Sequence, residues 1–129
     1  MPHIRIEYSS NVEEHHDIQQ FVDAIHQAAI DTGIFPLAGI RTRTEPRDVY
    51  AVADRQPNHA FLAIEVRIGP GRTDEELQTL LNSVIDTASA QLSLVDSPLA
   101  VALSTEITLI DASLRINRNG VAAALKENA

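Results

Sequence analysis

Residues 60–93 read AFLAIEVRIGPGRTDEELQTLLNSVIDTASAQLS, and within them the hydrophobic period changes from two to between three and four. As far as Ile68 the apolar side chains alternate, with Leu62, Ile64, Val66 and Ile68 inward, which is the pattern of a strand with one buried face. Beyond the Gly69-Pro70-Gly71 turn, Leu77, Leu80, Leu81, Val84, Ile85, Ala88 and Leu92 return at helical spacing, predicting a helix over 73–93. Thr73 with Glu76 three residues later is a capping box for its start. Residues 99–110, LAVALSTEITLI, follow as a long strand with Val101, Leu103, Ile107 and Leu109 on one side.

The same order stands upstream. Residues 2–8, PHIRIEY, alternate Pro2, Ile4, Ile6 and Tyr8 against His3, Arg5 and Glu7. Ile18, Phe21, Val22, Ile25 and Ala29 then predict an amphipathic helix over about 12–32, with Asn11 as N-cap, Gly33 ending it and Pro36 preventing continuation. Residues 37–43 and 47–53 each read as a short strand. Strand, helix and strand thus start at 2 and 60, 12 and 73, 37 and 99; offsets of 58, 61 and 62 suggest a duplicated β-α-β unit, although residue identity between the halves is negligible. The expected architecture is α/β (α+β): one domain over 1–129, a four-stranded sheet from two β-α-β units, two helices on one face. The other face would show Phe61, Ala63, Glu65, Arg67, Ala102, Ser104, Glu106 and Thr108, too mixed and small for bare solvent. Other copies of the chain are expected to cover it, making a homo-oligomer with a wet interior.

At 129 residues and 44% hydrophobic, the chain can bury a core without metal or disulfide staples. It has no cysteine, which removes disulfides, thiolate nucleophiles and Cys-based zinc sites. A formal charge of −8 and five aromatics without a Trp argue against nucleic acid as a partner. No apolar run approaches the ~20 residues of a membrane span, and MPHIRIEYSS shows no signal peptide, so a cytoplasmic location is expected. The charge is uneven. Segments 11–32 and 73–96 hold Glu13, Glu14, Asp17, Asp23, Asp31, Asp74, Glu75, Glu76, Asp86 and Asp96 and no base, while nine of the ten basic residues are arginines lying elsewhere.

Pro2 is the first candidate for chemistry. Removal of Met1 would free a secondary amine; an α-amine normally titrates near ~7.7–8.0, and desolvation or nearby cations would bring it down towards a general base's working range. With Met1 attached, the same nitrogen is an amide of no useful basicity. Many proteins begin Met-Pro without catalytic use, so the dipeptide alone does not decide. Arg41 and Arg43, two apart on a strand, point the same way, and Arg72 follows the Gly-Pro-Gly turn. A guanidinium holds a carboxylate through a bidentate fork; the plainer reading is surface pairing with Glu45, Asp48 or Asp74. The GPGRT turn is no nucleotide loop, because Asp74, Glu75 and Glu76 would repel a pyrophosphate. The histidines His3, His15, His16, His26 and His59 show no ligand spacing, so no metal is expected.

The stretches MPHIRIEYSSNV, TGIFPLAGIRTR, AFLAIEVRIGPGRT and LSTEITLIDASLRINRNGV, in this order, resemble the 5-carboxymethyl-2-hydroxymuconate Δ-isomerases, tautomerase-superfamily enzymes of homoprotocatechuate breakdown. The resemblance implies a homotrimer, Pro2 as acid/base, and Arg41, Arg72 and, as a third, Arg43 as holders of an anionic polycarboxylate substrate, without cofactor. Two other readings stand beside it: a related tautomerase acting on a different enol acid, and a non-catalytic trimeric interaction module.

Overall fold

The computed structural model describes residues 1–93 and 97–128; Asp96, one of the acids of the second base-free segment, lies outside them. Four strands, β1 (His3–Ser9), β2 (Arg41–Arg47), β3 (His59–Ile68) and β4 (Ala100–Leu109), form one sheet in the order β2-β1-β3-β4. β1 pairs parallel with β2 and β3 parallel with β4, while β1 and β3 run antiparallel at the centre. Helix α1 (Ile18–Asp31) links the first pair and α2 (Asp74–Leu92) the second. Equivalent elements start at 3 and 59, 18 and 74, 41 and 100, so the expected duplication of shape is present with offsets of 56, 56 and 59.

Alternation places the core. Ile4, Ile6 and Tyr8 of β1 and Leu62, Ile64, Val66 and Ile68 of β3 are buried against Phe21, Ile25 and Ala29 of α1 and Leu80, Val84, Ala88 and Leu92 of α2. The α2 start is the expected capping box: Thr73 Oγ1 accepts from Glu76 N at 3.1 Å, and Thr73 N donates to Glu76 Oε1 at 3.0 Å. Thr73→Ala is expected to lower unfolding free energy by about 0.5–2 kcal/mol, readable by urea denaturation.

Three expected elements differ from the sequence expectation. α1 begins at Ile18, not near 12, because Asn11 does not cap it: Asn11 is buried and its Nδ2 donates to His59 O at 2.8 Å. Asp17 caps instead, accepting from Gln20 N. The expected strand 37–43 is a 3-10 turn at Leu37–Gly39 followed by β2 from Arg41. Of the expected strand 47–53 only Arg47 is strand, the last residue of β2; the rest is a loop, turned by Ala53 and Arg55 at positive φ (51° and 70°). A third helix, α3 (Gly120–Asn128), is present as well. Asn119 caps it by accepting from Val121 N at 3.0 Å, and its amide donates to Ala38 O at 2.9 Å, which docks the C-terminal segment beside the turn before β2.

The face away from the helices carries an ion-pair lattice. Arg5 bonds Glu45 at 2.8 Å and Glu65 at 3.2 Å; Arg47 bonds Glu7 at 2.7 Å and Glu45 at 3.0 Å. Phe61, Ala63, Glu65 and Arg67 are half-buried on it, and Ala102, Ser104, Glu106 and Thr108 are exposed.

Candidate active site

The start of β1, the start of β2 and the ends of β3 and β4 meet at one end of the sheet. Pro2 lies there, fully buried, and its carbonyl accepts from Arg41 N at 3.1 Å. Met1 stands before it, so the Pro2 nitrogen is an amide in this structure and the basic amine is that of Met1. Two glycines make room for Met1. A Cβ on Gly39 would come within 2.5 Å of the Met1 nitrogen and 2.7 Å of its carbonyl oxygen, and one on Gly69 within 2.9 Å of its terminal methyl. Close backbone approach of this kind needs glycine at position 39, whereas beside Gly69 only the tip of the flexible Met1 side chain would have to shift. Gly39 thereby leaves Met1 a slot at the head of β1.

The slot is electropositive. Burial first, then Arg41, Arg115 and Arg72, depress the terminal amine below its ordinary value. These arginines are not tied up in ion pairs: Glu45 is taken by Arg5 and Arg47, and among the described residues Arg41, Arg43 and Arg72 meet no carboxylate. Arg72 lies over the Phe35 ring at 4.9 Å and donates to Gly69 O at 3.2 Å, while its buried Nε has no partner. Ring and carbonyl hold the guanidinium without cancelling its charge. Arg41 donates to Asn117 Oδ1 at 3.4 Å and lies 3.5 Å from His3 Nε2. Arg43 is exposed, sits 3.3 Å from His3 Nδ1, and is not among the cations that depress the amine.

Of the sequence-derived residues, the fold therefore brings Pro2, Arg41 and Arg72 together and leaves Arg43 one step outward. Sequence reasoning missed Arg115 and Asn117, which return from beyond β4, and the Phe35 platform under Arg72. The alternating apolar and basic run Leu114-Arg115-Ile116 was the available signal for Arg115. A cavity of about 280 Å³ lined by Asp48, Tyr50, Arg55, Gln56 and His59 lies at the opposite end of the sheet and contains none of these groups. No three His, Asp or Glu side chains among the described residues gather to hold a metal ion.

Burial lowers the pKa of His3, with Arg43 and Arg41 next in weight, and burial also lowers that of His16. The unfolded chain then takes up protons near ~6.5 before the folded chain does. Stability contributed by the neutral imidazoles is full above that value and is lost as pH falls below it. The melting temperature is expected to drop between pH 7.5 and pH 5.5, and to drop less in His16→Gln.

The 5-carboxymethyl-2-hydroxymuconate isomerase family model matches residues 2–125. The chain is 32% identical over 126 residues to the 5-carboxymethyl-2-hydroxymuconate Delta-isomerase of Escherichia coli, covering 98% of this chain and 100% of that one. A crystal structure of a 5-carboxymethyl-2-hydroxymuconate isomerase from Deinococcus radiodurans R1 superposes with a TM-score of 0.87 at 25% identity, over 96% of this chain and 93% of that chain. A fused 4-OT asymmetric trimer, 19% identical over 95% of this chain and 98% of its own, shares the fold with a TM-score of 0.66. The tautomerase-like fold and an isomerase activity of the tautomerase type follow. The chain belongs to the 5-carboxymethyl-2-hydroxymuconate isomerase family.

Proposed function

We propose that, once Met1 is removed, the chain converts 5-carboxymethyl-2-hydroxymuconate, a 2-hydroxy-dienoic polycarboxylate, to its conjugated 2-oxo isomer, with the Pro2 amine as acid/base. One observation carries the reading: a buried second-position proline heads a slot beside Arg41 and Arg72, which among the described residues have no carboxylate of their own. An amine on Pro2 would lie one residue further in than that of Met1, beside the same cations. Desolvation and positive charge favour its neutral form, the form that accepts a proton.

In this scheme Arg41 and Arg72 grip the substrate carboxylates and orient the diene. The Pro2 amine takes the proton of the 2-hydroxyl, the electron pair moves along the diene, and the far carbon receives a proton. Nothing is added or lost overall. Charge develops on the 2-oxygen as its proton leaves, and a guanidinium already in place stabilises it without reorganisation. Asp23 and Asp31 lie on α1 and Asp74, Glu75, Glu76 and Asp86 on α2, on the other side of the sheet from the ion-pair lattice, so the anionic ligand meets the positive part of a negative protein.

The assembly is a homotrimer in this reading, supported by the half-buried ion-pair face and by likeness to a fused 4-OT described as a trimer. It acts in the cytoplasm; no helix among the described residues is long and apolar enough to cross a membrane. Protein shown by intact mass to lack Met1 is assayed on 5-carboxymethyl-2-hydroxymuconate and on the dicarboxylate 2-hydroxymuconate. Faster ketonisation of the former supports the assignment. Faster turnover of the latter selects the related tautomerase for another enol acid, and no turnover of any enol acid by a folded trimer selects the interaction module.

A further inference from the structure

His3 follows Pro2 directly, and its side chain lies on the sheet face that carries Arg41 and Arg43. Each ring nitrogen faces a guanidinium N–H: Nε2 lies 3.5 Å from an Arg41 nitrogen and Nδ1 lies 3.3 Å from an Arg43 nitrogen. A neutral imidazole has one lone pair and one N–H, so it can accept from one of these arginines only. The other contact sets two donors against each other. A doubly protonated ring would do worse, opposing both guanidiniums at once.

The surrounding charges favour the neutral ring. Arg41 and Arg43 face His3 from β2, Arg67 is its cross-strand neighbour on β3, Arg115 reaches it from the C-terminal segment, and the terminal amine adds a further positive charge. No carboxylate bonds the ring among the described residues. Which arginine takes the lone pair follows from hydration. Arg41 is half-buried and has lost part of its water, whereas Arg43 is exposed and keeps its own. With the lone pair at Nε2 given to the half-buried Arg41, Nδ1–H is left pointing at Arg43, at the shorter of the two contacts. Two donors converging on one point, one of them cationic, are relieved by an acceptor placed between them, and a carboxylate oxygen is the strongest that fits this charge.

We propose that His3 is a specificity-determining residue: its Nε2 steadies Arg41, and its Nδ1–H together with the Arg43 guanidinium holds the substrate carboxylate farthest from the reacting oxygen. The inference rests on the isomerase reading above and adds to it the position that tells a tricarboxylate from a dicarboxylate. Arg43 is two residues from Arg41, about 7 Å along the strand, so the two arginines serve different carboxylates of one ligand. Arg41 belongs to the reacting end and Arg43 to the remote end.

The test uses the Met1-trimmed protein and the variants His3→Gln, His3→Leu, Arg43→Ala and His3→Leu/Arg43→Ala. Glutamine keeps one donor and one acceptor; leucine keeps neither. The ratio of kcat/KM for 5-carboxymethyl-2-hydroxymuconate to that for 2-hydroxymuconate is expected to fall about tenfold in His3→Leu, mainly through KM, and to stay within about threefold of the parent in His3→Gln. Arg43→Ala should lower the ratio similarly, and the double variant little further, because both side chains serve one carboxylate. An unchanged ratio in His3→Leu, or losses that simply add in the double variant, overturns the proposal. Calorimetry with the unreactive propane-1,2,3-tricarboxylate and glutarate reads the same ratio as binding. If the parent turns over neither enol acid but prefers the tricarboxylate in a His3-dependent way, the isomerase reading fails and the carboxylate position stands.

Discussion

Pro2→Ala in the Met1-trimmed protein is expected to lower kcat on 5-carboxymethyl-2-hydroxymuconate by about 10²-fold, with circular dichroism and oligomeric state unchanged. The magnitude lies at the low end of general acid–base effects because alanine, after trimming, still presents an amine. What it loses is the ring that fixes the direction of the nitrogen lone pair. The fold has other supports at this point: the backbone bond from Arg41 N is made to the residue 2 carbonyl, which alanine retains. A variant that keeps both its rate and its oligomeric state would remove Pro2 from the reaction. One that changes its oligomeric state along with the rate would mean that the buried ring serves packing, and the comparison is completed by the pH profile. The ascending limb of kcat/KM reports the free amine and should lie below the ordinary ~7.7–8.0 of an α-amine.

The second large effect belongs to the arginines beside the slot. Arg72→Ala is expected to lower kcat/KM by about 10²–10³-fold, and Arg41→Ala comparably, since each removes a preorganised cation from a partly dry site. Neither change breaks an ion pair among the described residues, so the stability cost should be limited to contacts such as that of Arg72 with the Phe35 ring. Arg72→Lys separates charge from shape. An ammonium retains the positive charge but loses the fork and much of the contact with the Phe35 ring, and is expected to recover only part of the activity. Full recovery by Lys would show that Arg72 acts as a point charge rather than as a carboxylate clamp. Arg115 is one of the cations that depress the Met1 amine, and Arg115→Ala is expected to raise the pKa of the Pro2 amine exposed by trimming, a shift readable in the same pH profile.

Much of the architecture was legible because alternation and helical spacing are local. The alternating run through Ile68 and the Thr73–Glu76 box specify β3 and the start of α2 from adjacent residues alone. Misplaced boundaries came from distant contacts. Asn11 is a good cap by composition, yet its amide is claimed by the carbonyl of His59, 48 positions on. Leu37–Gly39 is apolar enough for a strand, but Gly39 must pass close to Met1, and the chain turns there instead. Val49, Tyr50 and Val52 suggested a strand that Ala53 and Arg55 curl into a loop.

Site residues divided in the same way. Pro2, Arg41 and Arg72 lie at strand ends that the β-α-β pattern already brings to one edge. The three-fold charge pattern around the amine was not legible, because Arg115 arrives through the C-terminal segment, docked by Asn119 on Ala38 some 81 positions away. Nor did spacing distinguish paired from unpaired arginines. Arg5 and Arg47 take the carboxylate that seemed available to Arg41 and Arg43.

If the Pro2 amine is the acid/base, the chemistry turns on one covalent bond, that between Met1 and Pro2. The protein is prepared in mixtures with different fractions trimmed, each fraction measured by intact mass, and ketonisation of 5-carboxymethyl-2-hydroxymuconate is followed at fixed total chain. Turnover should rise in proportion to the trimmed fraction and extrapolate to zero when every chain keeps Met1. Equal turnover by fully Met1-bearing chains would contradict a catalytic Pro2 amine.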